Sequence, residues 1–374
     1  MVYGRPAAPP PAAPSMPKIN LLNLTPARAA LALEAFFRRR GDPPYRAAQV
    51  ARRLWQAPAR SFAEITELPL ALREALEQSF EIPSLTIATA QLSADGTRKF
   101  LFRLADGEAI ETVSIPDADR LTLCISSQAG CALQCAFCAT GKMGFTRNLE
   151  AYEIAGQVRE LALLTPPIAA TNIVFMGMGE PLMNWRAVDP ALTILNDPAG
   201  LGIGARHITV STVGILPGIV ALSERPEQFR LAISVHAPTD ELRHGLMPIN
   251  TKYPLAEVIE AAKSFDRRVT FEYVMLGGIN DRPEDAAELS RLAQECRAFV
   301  NLIPLHPGGA GDFTPTTADG IRRFAASLRR FGVSVAIRKS RGKDIAAACG
   351  QLRVERHRRR GPVAAEHDGG VEVA

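Results

Sequence analysis

Membrane-spanning runs, a secretion signal and a dense set of cysteines are all missing from this 374-residue sequence. No apolar run approaches the roughly twenty residues that a membrane helix needs. The N-terminus lacks the charged-then-apolar order of a signal peptide, and six cysteines are too few for a disulfide scaffold in a chain of this length. Because clustered thiols without an export signal are typical of a reducing compartment, we expect a cytoplasmic protein that does not bind membranes.

The composition that is present describes a folded protein with a slight excess of positive charge. The apolar share of 47% and the length allow a large core and two domains. The net charge of +4 and the pI near 8.8 permit a nucleic-acid partner without requiring one. No solenoid repeat is detectable.

The most informative stretch, residues 124–144, contains four of the six cysteines. Cys131, Cys135 and Cys138 have the spacing C-x3-C-x2-C, and Cys124 lies seven residues upstream. An apolar run at 121–125 predicts a strand before the cluster, and a helical pattern at 150–164 follows it. The cysteines therefore lie on a loop at the C-terminal end of a strand, where α/β barrels place their catalytic groups.

Three closely spaced thiolates suit a metal ion or an iron–sulfur cluster. Structural zinc usually has four protein ligands, and no histidine follows Cys138 within sixty residues. A [4Fe–4S] cluster held by three cysteines keeps one iron free for a small molecule. Structural zinc or simple buried thiols remain the alternative at this point.

Further motifs identify a family. The four cysteines occur together with G-M-G-E-P-L-M-N at 177–184 and A-C-G-Q-L at 348–352. In this combination the chain resembles the RlmN/Cfr family of radical S-adenosylmethionine (SAM) RNA methyltransferases, and most of all its RlmN branch. The resemblance runs from about Leu22 to Leu352.

Periodicity and resemblance together predict the fold class, which is α/β. We expect an incomplete (β/α)6-type radical SAM barrel with a small N-terminal helical domain and linking β-hairpins. The expected parts are a disordered leader at 1–18, a helical RNA-binding accessory domain at 19–83, a β-hairpin linker at 84–118, the catalytic barrel at 119–352 and a disordered basic tail at 353–374. The barrel strands are predicted at 121–126, 172–176, 207–211, 230–235, 269–274, 300–304 and 334–338.

The helical domain begins with a predicted helix at Thr25 and Pro26, with the threonine hydroxyl as its cap. Arginines at 38–40, 46, 52 and 53 suit RNA phosphates, but a solvated helical face explains them equally well. The resemblance favours RNA. Asp-Gly turns at 95–96 and 106–107 separate alternating runs and predict hairpins.

The resemblance also implies roles for individual residues. Cys131, Cys135 and Cys138 would hold a [4Fe–4S] cluster whose open iron chelates SAM. Cys349 would carry the methyl group as S-methylcysteine, and Cys124 would resolve the RNA–protein crosslink through a transient disulfide with Cys349. Glu111 would accept the proton that leaves the adenine, although Cys124 is an open alternative for that step. Cys296, on a predicted helix, is expected to be structural. SAM contacts are implied at Gly179, Glu180, Ser211, Ser234, Val235, His236 and His306.

His306 departs from the family pattern. The family has N-L-I-P-x-N after the sixth strand, whereas residues 301–306 here read N-L-I-P-L-H. Histidine donates or accepts a hydrogen bond, so the contact can survive with altered geometry.

The implied function is C2 methylation of an adenosine in 23S rRNA, with the tRNA adenosine next to the anticodon as an optional second substrate. Two SAM molecules would be consumed per turnover, and a flavodoxin or ferredoxin would supply electrons to a monomeric enzyme. C8 methylation of the same adenosine shares every motif and stays open. A non-catalytic zinc RNA-binding module is the alternative from another class. A radical SAM enzyme for a small molecule is disfavoured by the helical domain and by Cys349.

Overall fold

The computed structural model describes residues 17–306 and 311–352. Nearly all of the predicted leader and the whole predicted tail lie outside these residues. Within them no helix is both long and apolar enough to span a membrane.

The N-terminal part is a small helical unit closed by a two-stranded parallel pair. Its elements in chain order are β1 (Ile19–Asn20), α1 (Pro26–Arg40), α2 (Tyr45–Trp55), α3 (Leu70–Ser79) and β2 (Phe80–Glu81). Helix α1 begins at Pro26 as predicted, but the predicted threonine cap is wrong, because the Thr25 side chain makes no capping hydrogen bond. Proline at the first helical position fixes φ without losing a needed N–H, so the helix begins without that cap.

Four strands follow and form the antiparallel side of a large sheet. They are β3 (Thr86–Leu92), β4 (Arg98–Arg103), β5 (Ala109–Asp117) and β6 (Arg120–Cys124). Each pairs with the next in antiparallel register. The Asp-Gly turns thus make hairpins. These hairpins belong to the barrel sheet itself rather than to a separate bridge.

The barrel follows by alternation of strands and helices. Its remaining elements are β7 (Gln128–Gly130), α4 (Ala139–Met143), β8 (Phe145–Asn148), α5 (Ala151–Ala162), β9 (Asn172–Phe175), α6 (Trp185–Asn196), β10 (Ile208–Thr212), α7 (Leu216–Ser223), β11 (Arg230–Ser234), α8 (Asp240–Leu246), α9 (Leu255–Lys263), β12 (Val269–Met275), α10 (Pro283–Glu295), β13 (Phe299–Pro304), α11 (Ala318–Arg330) and β14 (Val335–Ile337).

The ten-stranded sheet has the order β14-β13-β12-β11-β10-β9-β6-β5-β4-β3. Strands β6 and β9 to β14 run parallel. The sheet order ends at β14 on one side and at β3 on the other, so the barrel is open, and the predicted incomplete barrel is confirmed. The C-terminal ends of the parallel strands all lie on one side of the sheet. The cysteine loop, which comprises residues 125–144, begins there, at the end of β6.

A buried arginine joins the helical unit to the barrel. Arg159 on α5 is fully buried and donates to the carbonyl oxygens of Leu54 and Ala59. Its neighbour Glu160 pairs with Arg159 and, at 3.2 Å, with Arg60. A charge buried at this depth requires such partners, so these contacts fix the position of the helical unit.

Candidate active site

A cavity at the C-terminal ends of the parallel strands brings together most of the residues singled out in the sequence. Of the predicted residues, it is lined by Cys131, Cys135, Cys138, Gly179, Glu180, Ser211, Ser234, His236 and Cys349. Glu272, Arg338 and Met176 also line it. Side chains from six barrel strands or their ends therefore meet the cysteine loop at one place.

The cysteine loop is shaped by backbone contacts at both ends. The N–H of Cys131 donates to the Gly144 carbonyl over 2.9 Å. Gly130 has φ +77°, and a side chain there would lie 2.0 Å from the Gly144 oxygen. Cys138 precedes helix α4. The loop is thus a closed turn that brings all three thiols to one side of the cavity.

The donor set suits a polynuclear cluster. Burial raises the pKa of Cys131 to about 12 and raises that of Cys135 strongly. Buried thiols become stable thiolates only beside positive charge, which metal ions provide. Structural zinc usually takes four protein ligands, whereas the cavity presents three cysteine thiols. Three thiols around one cavity suit a [4Fe–4S] cluster.

The turn after β9 approaches the cysteine loop more closely than a side chain would allow. A Cβ at Gly177 would lie 2.6 Å from the Ile125 oxygen, and one at Gly179, where φ is +98°, would lie 2.5 Å from the Gln128 Cβ. Only glycine fits this approach without displacing the neighbouring backbone. The two glycines thereby bring Glu180 to the edge of the cavity.

Glu180 joins the ends of two strands. Its carboxylate accepts the N–H of Leu182 over 3.1 Å and the N–H of Val213 over 3.0 Å. Burial raises the pKa of this carboxyl to about 7, although these hydrogen bonds oppose the shift. The same side chain lines the cavity. A ligand bound there would therefore contact a carboxylate that is held by the backbone beyond both β9 and β10.

Gly177→Ala is expected to destabilise the fold. Its methyl group would overlap backbone atoms of Ile125 and Ser126, which cannot rotate away, and overpacking of this kind costs about 1–3 kcal/mol. The measurement is the melting temperature of the purified protein. Gly245→Ala is the matched control, because a Cβ there meets nothing within 4 Å and alanine favours a helix. Equal melting temperatures for Gly177→Ala and wild type would contradict the expectation.

His236 is held as a neutral imidazole. Its Nδ1 accepts the N–H of Val274 over 3.1 Å, so Nε2 carries the proton. Burial lowers its pKa to about 3. The ring meets Phe137 edge-on at 4.8 Å between centroids. The result is a hydrogen-bond donor beside the cysteine loop that keeps its protonation state across neutral pH.

Two of the predicted SAM contacts, Val235 and His306, do not line this cavity. The Val235 side chain is fully buried and outside the cavity lining, and its N–H donates to the Glu272 carbonyl over 3.1 Å. His306 lines an adjoining cavity instead, where its Nε2 is hydrogen-bonded to the Ser340 hydroxyl.

Cys349 is exposed on a loop, 338–352, whose two ends are both held by hydrogen bonds. Beyond Cys349, the Gly350 carbonyl accepts the N–H of Ala139 over 2.8 Å and the Leu352 carbonyl accepts the Thr140 hydroxyl over 2.7 Å. This end of the loop therefore rests on helix α4, which directly follows Cys138.

The other end rests on the β3–β4 turn through two carboxylates. Asp344 accepts the Ser93 hydroxyl over 2.5 Å and the N–H of Ala94 over 3.1 Å. In return, Asp95 accepts the N–H of Gly342 over 3.0 Å. We call these contacts the hairpin latch. Through these contacts the β3–β4 hairpin holds the loop that contains Cys349.

Arg338 lies among the remaining reactive groups. Its Nη1 is 3.9 Å from Glu272 Oε2, an oxygen without a hydrogen-bond partner among the described residues. The Cys349 thiol, then Glu272 and Cys124, raise the pKa of the Arg338 guanidinium. Burial, and second the nearby Cys349, raise the pKa of Cys124 to about 12. Cys124 and Cys349 therefore interact electrostatically with each other and with Arg338, and both are free thiols.

Glu111 lies on β5 outside the cavity lining and is almost fully buried. It forms an ion pair with Lys99 over 3.1 Å. The same ammonium contacts the Ala346 carbonyl of the Cys349 loop at 3.4 Å. Lys99 thus connects Glu111 to that loop.

Three residues of this site were not singled out by sequence analysis: Glu272, Asp344 and Lys99. A glutamate in the middle of an apolar strand is the one signal that would have indicated Glu272. Arg338 begins a basic segment, residues 338–343, which is the signal in the sequence that indicates it.

Comparison with known proteins agrees with this geometry. The radical SAM superfamily profile matches residues 125–290, and the profile of the ribosomal RNA large subunit methyltransferase N-terminal domain matches residues 19–82. A "probable dual-specificity RNA methyltransferase RlmN" from Gemmatimonas aurantiaca is 68% identical over 95% of this chain and 99% of its own. A "dual-specificity RNA methyltransferase RlmN" from Anaeromyxobacter dehalogenans is 47% identical over 84% of this chain and 87% of its own.

A solved structure shows the same architecture. The radical SAM methyltransferase from Sphaerobacter thermophilus superposes with a TM-score of 0.83 at 43% identity, over 90% of this chain and 99% of that one. Relatives of this similarity and coverage establish both the cofactor chemistry and the reaction class. The chain therefore belongs to the RlmN family, whose members are SAM-dependent RNA methyltransferases that use a [4Fe–4S] cluster.

Proposed function

We propose that the protein methylates C2 of an unpaired adenosine in 23S rRNA, and also the tRNA adenosine next to the anticodon, with Cys349 as methyl carrier. The observation that carries the proposal is the position of Cys349, an exposed thiol at the edge of the cavity that the three cysteines line. The curated relatives named as dual-specificity RNA methyltransferases support the choice of RNA. Adenine C2 is too weak a nucleophile for direct methyl transfer, so a covalent carrier divides the reaction into feasible steps.

Cys131, Cys135 and Cys138 would hold the cluster, and Glu180, Ser211, Ser234 and His236 would contact SAM. When bound, these cofactors supply a methyl group and a 5′-deoxyadenosyl radical. The protein's own task is positioning. Glu180 presents a carboxylate that suits an ammonium group, while His236 presents a fixed N–H donor. Phe137 packs beside His236 and excludes water from the cysteine loop.

Cys349 would receive the methyl group on its sulfur and later lose a hydrogen atom from it. Arg338 would support the first of these steps, because a guanidinium that interacts with the sulfur stabilises the negative charge of the thiolate that attacks the methyl group.

Cys124 would release the product. By then the methylene carbon on the Cys349 sulfur would be bonded to C2 of the adenine. The Cys124 sulfur would bond to the Cys349 sulfur as the carbon–sulfur bond breaks, and the Cys124 proton would complete the methyl group, which leaves a disulfide and the methylated adenosine. The proton from the adenine would pass to Glu111, whose carboxylate is oriented by Lys99.

The hairpin latch would position Cys349 for methyl transfer. Asp344→Ala removes the acceptor for Ser93 and Ala94, so the latch loses two of its three hydrogen bonds. Displacement of a reacting group by about 1 Å costs up to about hundredfold in rate. We therefore expect Cys349 methylation to fall at least about tenfold, measured by mass spectrometry of the Cys349 peptide, at normal iron content. Asp119→Ala, an exposed carboxylate on the β5–β6 turn, is the control. Wild-type methylation in Asp344→Ala would show that the latch has no positioning role.

The product identifies the position of methylation. Nuclease digestion of RNA modified by the enzyme, compared with 2-methyladenosine and 8-methyladenosine standards, should show only the 2-methyl product. A digest that contains only 8-methyladenosine would contradict the proposal and favour the resistance-type activity. Zinc without iron or sulfide after anaerobic purification would favour the non-catalytic module.

We further propose that a flavodoxin or ferredoxin donates the electrons, that the enzyme is a monomer and that it acts in the cytoplasm. The mildly basic charge is compatible with an RNA partner.

A further inference from the structure

Arg243 is a buried cation that the mechanism above does not use. It lies on α8, is fully buried, and does not line the cavity. Its guanidinium donates to the Val235 carbonyl over 3.3 Å, the Tyr253 carbonyl over 3.4 Å, the Asn250 amide oxygen over 2.6 Å and the Val213 carbonyl. All four acceptors are neutral. These hydrogen bonds satisfy the N–H groups of Arg243, but they do not compensate its charge.

A charge at this depth requires an anion nearby, because the burial of an ion is strongly unfavourable without one. Among the described residues, no carboxylate forms an ion pair with Arg243. Asp240 favours the charged guanidinium, but its side chain is exposed to solvent, which screens it. Arg159, which is equally buried, has a direct partner in Glu160 at 2.9 Å. The protein without its cofactor therefore leaves the charge of Arg243 largely uncompensated.

The missing anion lies in the cysteine loop. The N–H of Ala136, next to Cys135, donates over 2.9 Å to the carbonyl of Leu246, which is three residues beyond Arg243 on α8. Burial lowers the pKa of Arg243 to about 10, and the Cys135 thiol is the first group that opposes this shift. Burial also raises the pKa of Cys135, and Arg243 opposes that shift in return. Because a buried thiol becomes a stable thiolate when it binds metal, the counter-charge for Arg243 arises with the cluster.

We propose that Arg243 is the buried counter-ion of the cluster that Cys131, Cys135 and Cys138 hold, and that its charge raises the reduction potential of that cluster. This inference rests on the ligands assigned in the proposed function. Three thiolates make the bound cluster anionic, and reduction adds one more negative charge. A fixed cation nearby therefore stabilises the reduced state more than the oxidised state. Since Arg243 does not line the cavity, it acts through its electric field rather than by contact with SAM or RNA.

The test measures the midpoint potential of the cluster, which does not depend on methylation activity. Anaerobic holoenzyme is titrated with dithionite and mediator dyes in the absence of SAM and RNA, and the reduced cluster is quantified by electron paramagnetic resonance. Arg243→Met removes the charge and keeps an unbranched side chain, whereas Arg243→Lys keeps the charge. Arg159→Met is the matched control, because that arginine is equally buried and also donates to backbone carbonyls, but it joins the helical unit to the barrel. Iron content, sulfide content and melting temperature are recorded for each protein.

At a fixed solution potential, the ratio of reduced to oxidised cluster should fall about tenfold in Arg243→Met. For a one-electron couple this is a shift of about 59 mV towards a more negative potential. Arg243→Lys should stay close to wild type, because it restores the charge but not all of the hydrogen bonds. Arg159→Met should have the wild-type potential even though its melting temperature falls.

Arg243→Lys also decides the question where Arg243→Met does not fold. A buried lysine loses its proton at an accessible pH, whereas arginine stays charged. Between about pH 7 and pH 10, the potential of Arg243→Lys should therefore fall further than that of wild type.

Three results would overturn the inference. The first is a wild-type potential in folded Arg243→Met protein that contains a full cluster. The second is an equal shift in Arg243→Met and Arg243→Lys at neutral pH, because hydrogen bonds rather than charge would then set the potential. The third, where Arg243→Met does not fold, is a wild-type dependence on pH in Arg243→Lys. Wild-type protein that takes up no iron and sulfide on anaerobic reconstitution is a different result, since it contradicts the assigned ligands and with them the proposed function.

Discussion

Cys349→Ala protein is expected to produce no methylated RNA while it still cleaves SAM slowly. The substitution removes the sulfur that would carry the methyl group, but it leaves the cysteine loop, Glu180 and His236 unchanged. The RNA product should fall to the background level, because no other exposed thiol lies among the described residues. The measurement is mass spectrometry of two products from one reaction, methyladenosine from digested RNA and 5′-deoxyadenosine from SAM.

A second cysteine provides the control. Cys296 follows helix α10, is partly buried, and contacts the Ile259 carbonyl rather than either cavity. Cys296→Ala should therefore methylate RNA like wild type. Methylated RNA from Cys349→Ala at more than a trace would refute the methyl-carrier role.

Cys124→Ala is expected to stall the reaction after the RNA has been bonded to the protein. Cys124 is buried and interacts electrostatically with Cys349. Burial raises the pKa of Cys124 to about 12, so it is a protonated thiol until the reaction reaches it. Without this thiol, nothing takes the Cys349 sulfur from the RNA, and the adduct persists. We expect up to one RNA per protein in a covalent complex and almost no released product.

The adduct is measured on a denaturing gel with radiolabelled RNA, under anaerobic conditions and with excess SAM. The double variant Cys124→Ala, Cys349→Ala is the control, and it should form no adduct because the point of attachment is gone. Normal turnover by Cys124→Ala would show that another group resolves the intermediate.

Local patterns in the sequence predict the strands of the barrel. Apolar runs at 172–176 and 269–274 become β9 and β12 within one or two residues, since buried parallel strands must be continuously apolar. The cysteine spacing and the glycines at 177 and 179 are also local features, and they lead directly to one side of the cavity. The resemblance supplied the rest of the predicted site.

Contacts between distant segments could not be read from local patterns. Asp344 and Ser93 are 251 positions apart, and an exposed-looking aspartate gives no sign of its partner. The sequence predicts the antiparallel strands as a linker, because it does not show that β5 pairs with β6 and continues the barrel sheet. His306 stands where the family has asparagine, yet its ring contacts Ser340 in the adjoining cavity. Such outcomes depend on how the Cys349 loop packs in three dimensions.

The most direct test of the account is the mass of the Cys349 peptide from wild-type protein, expressed with sufficient iron and purified without oxygen. We predict a peptide one methyl group heavier than its sequence, with the added carbon on the sulfur of Cys349. An unmodified Cys349 in protein with a complete cluster and an intact Cys124 would contradict the methyl-carrier mechanism, and a different radical SAM reaction would then explain the site better.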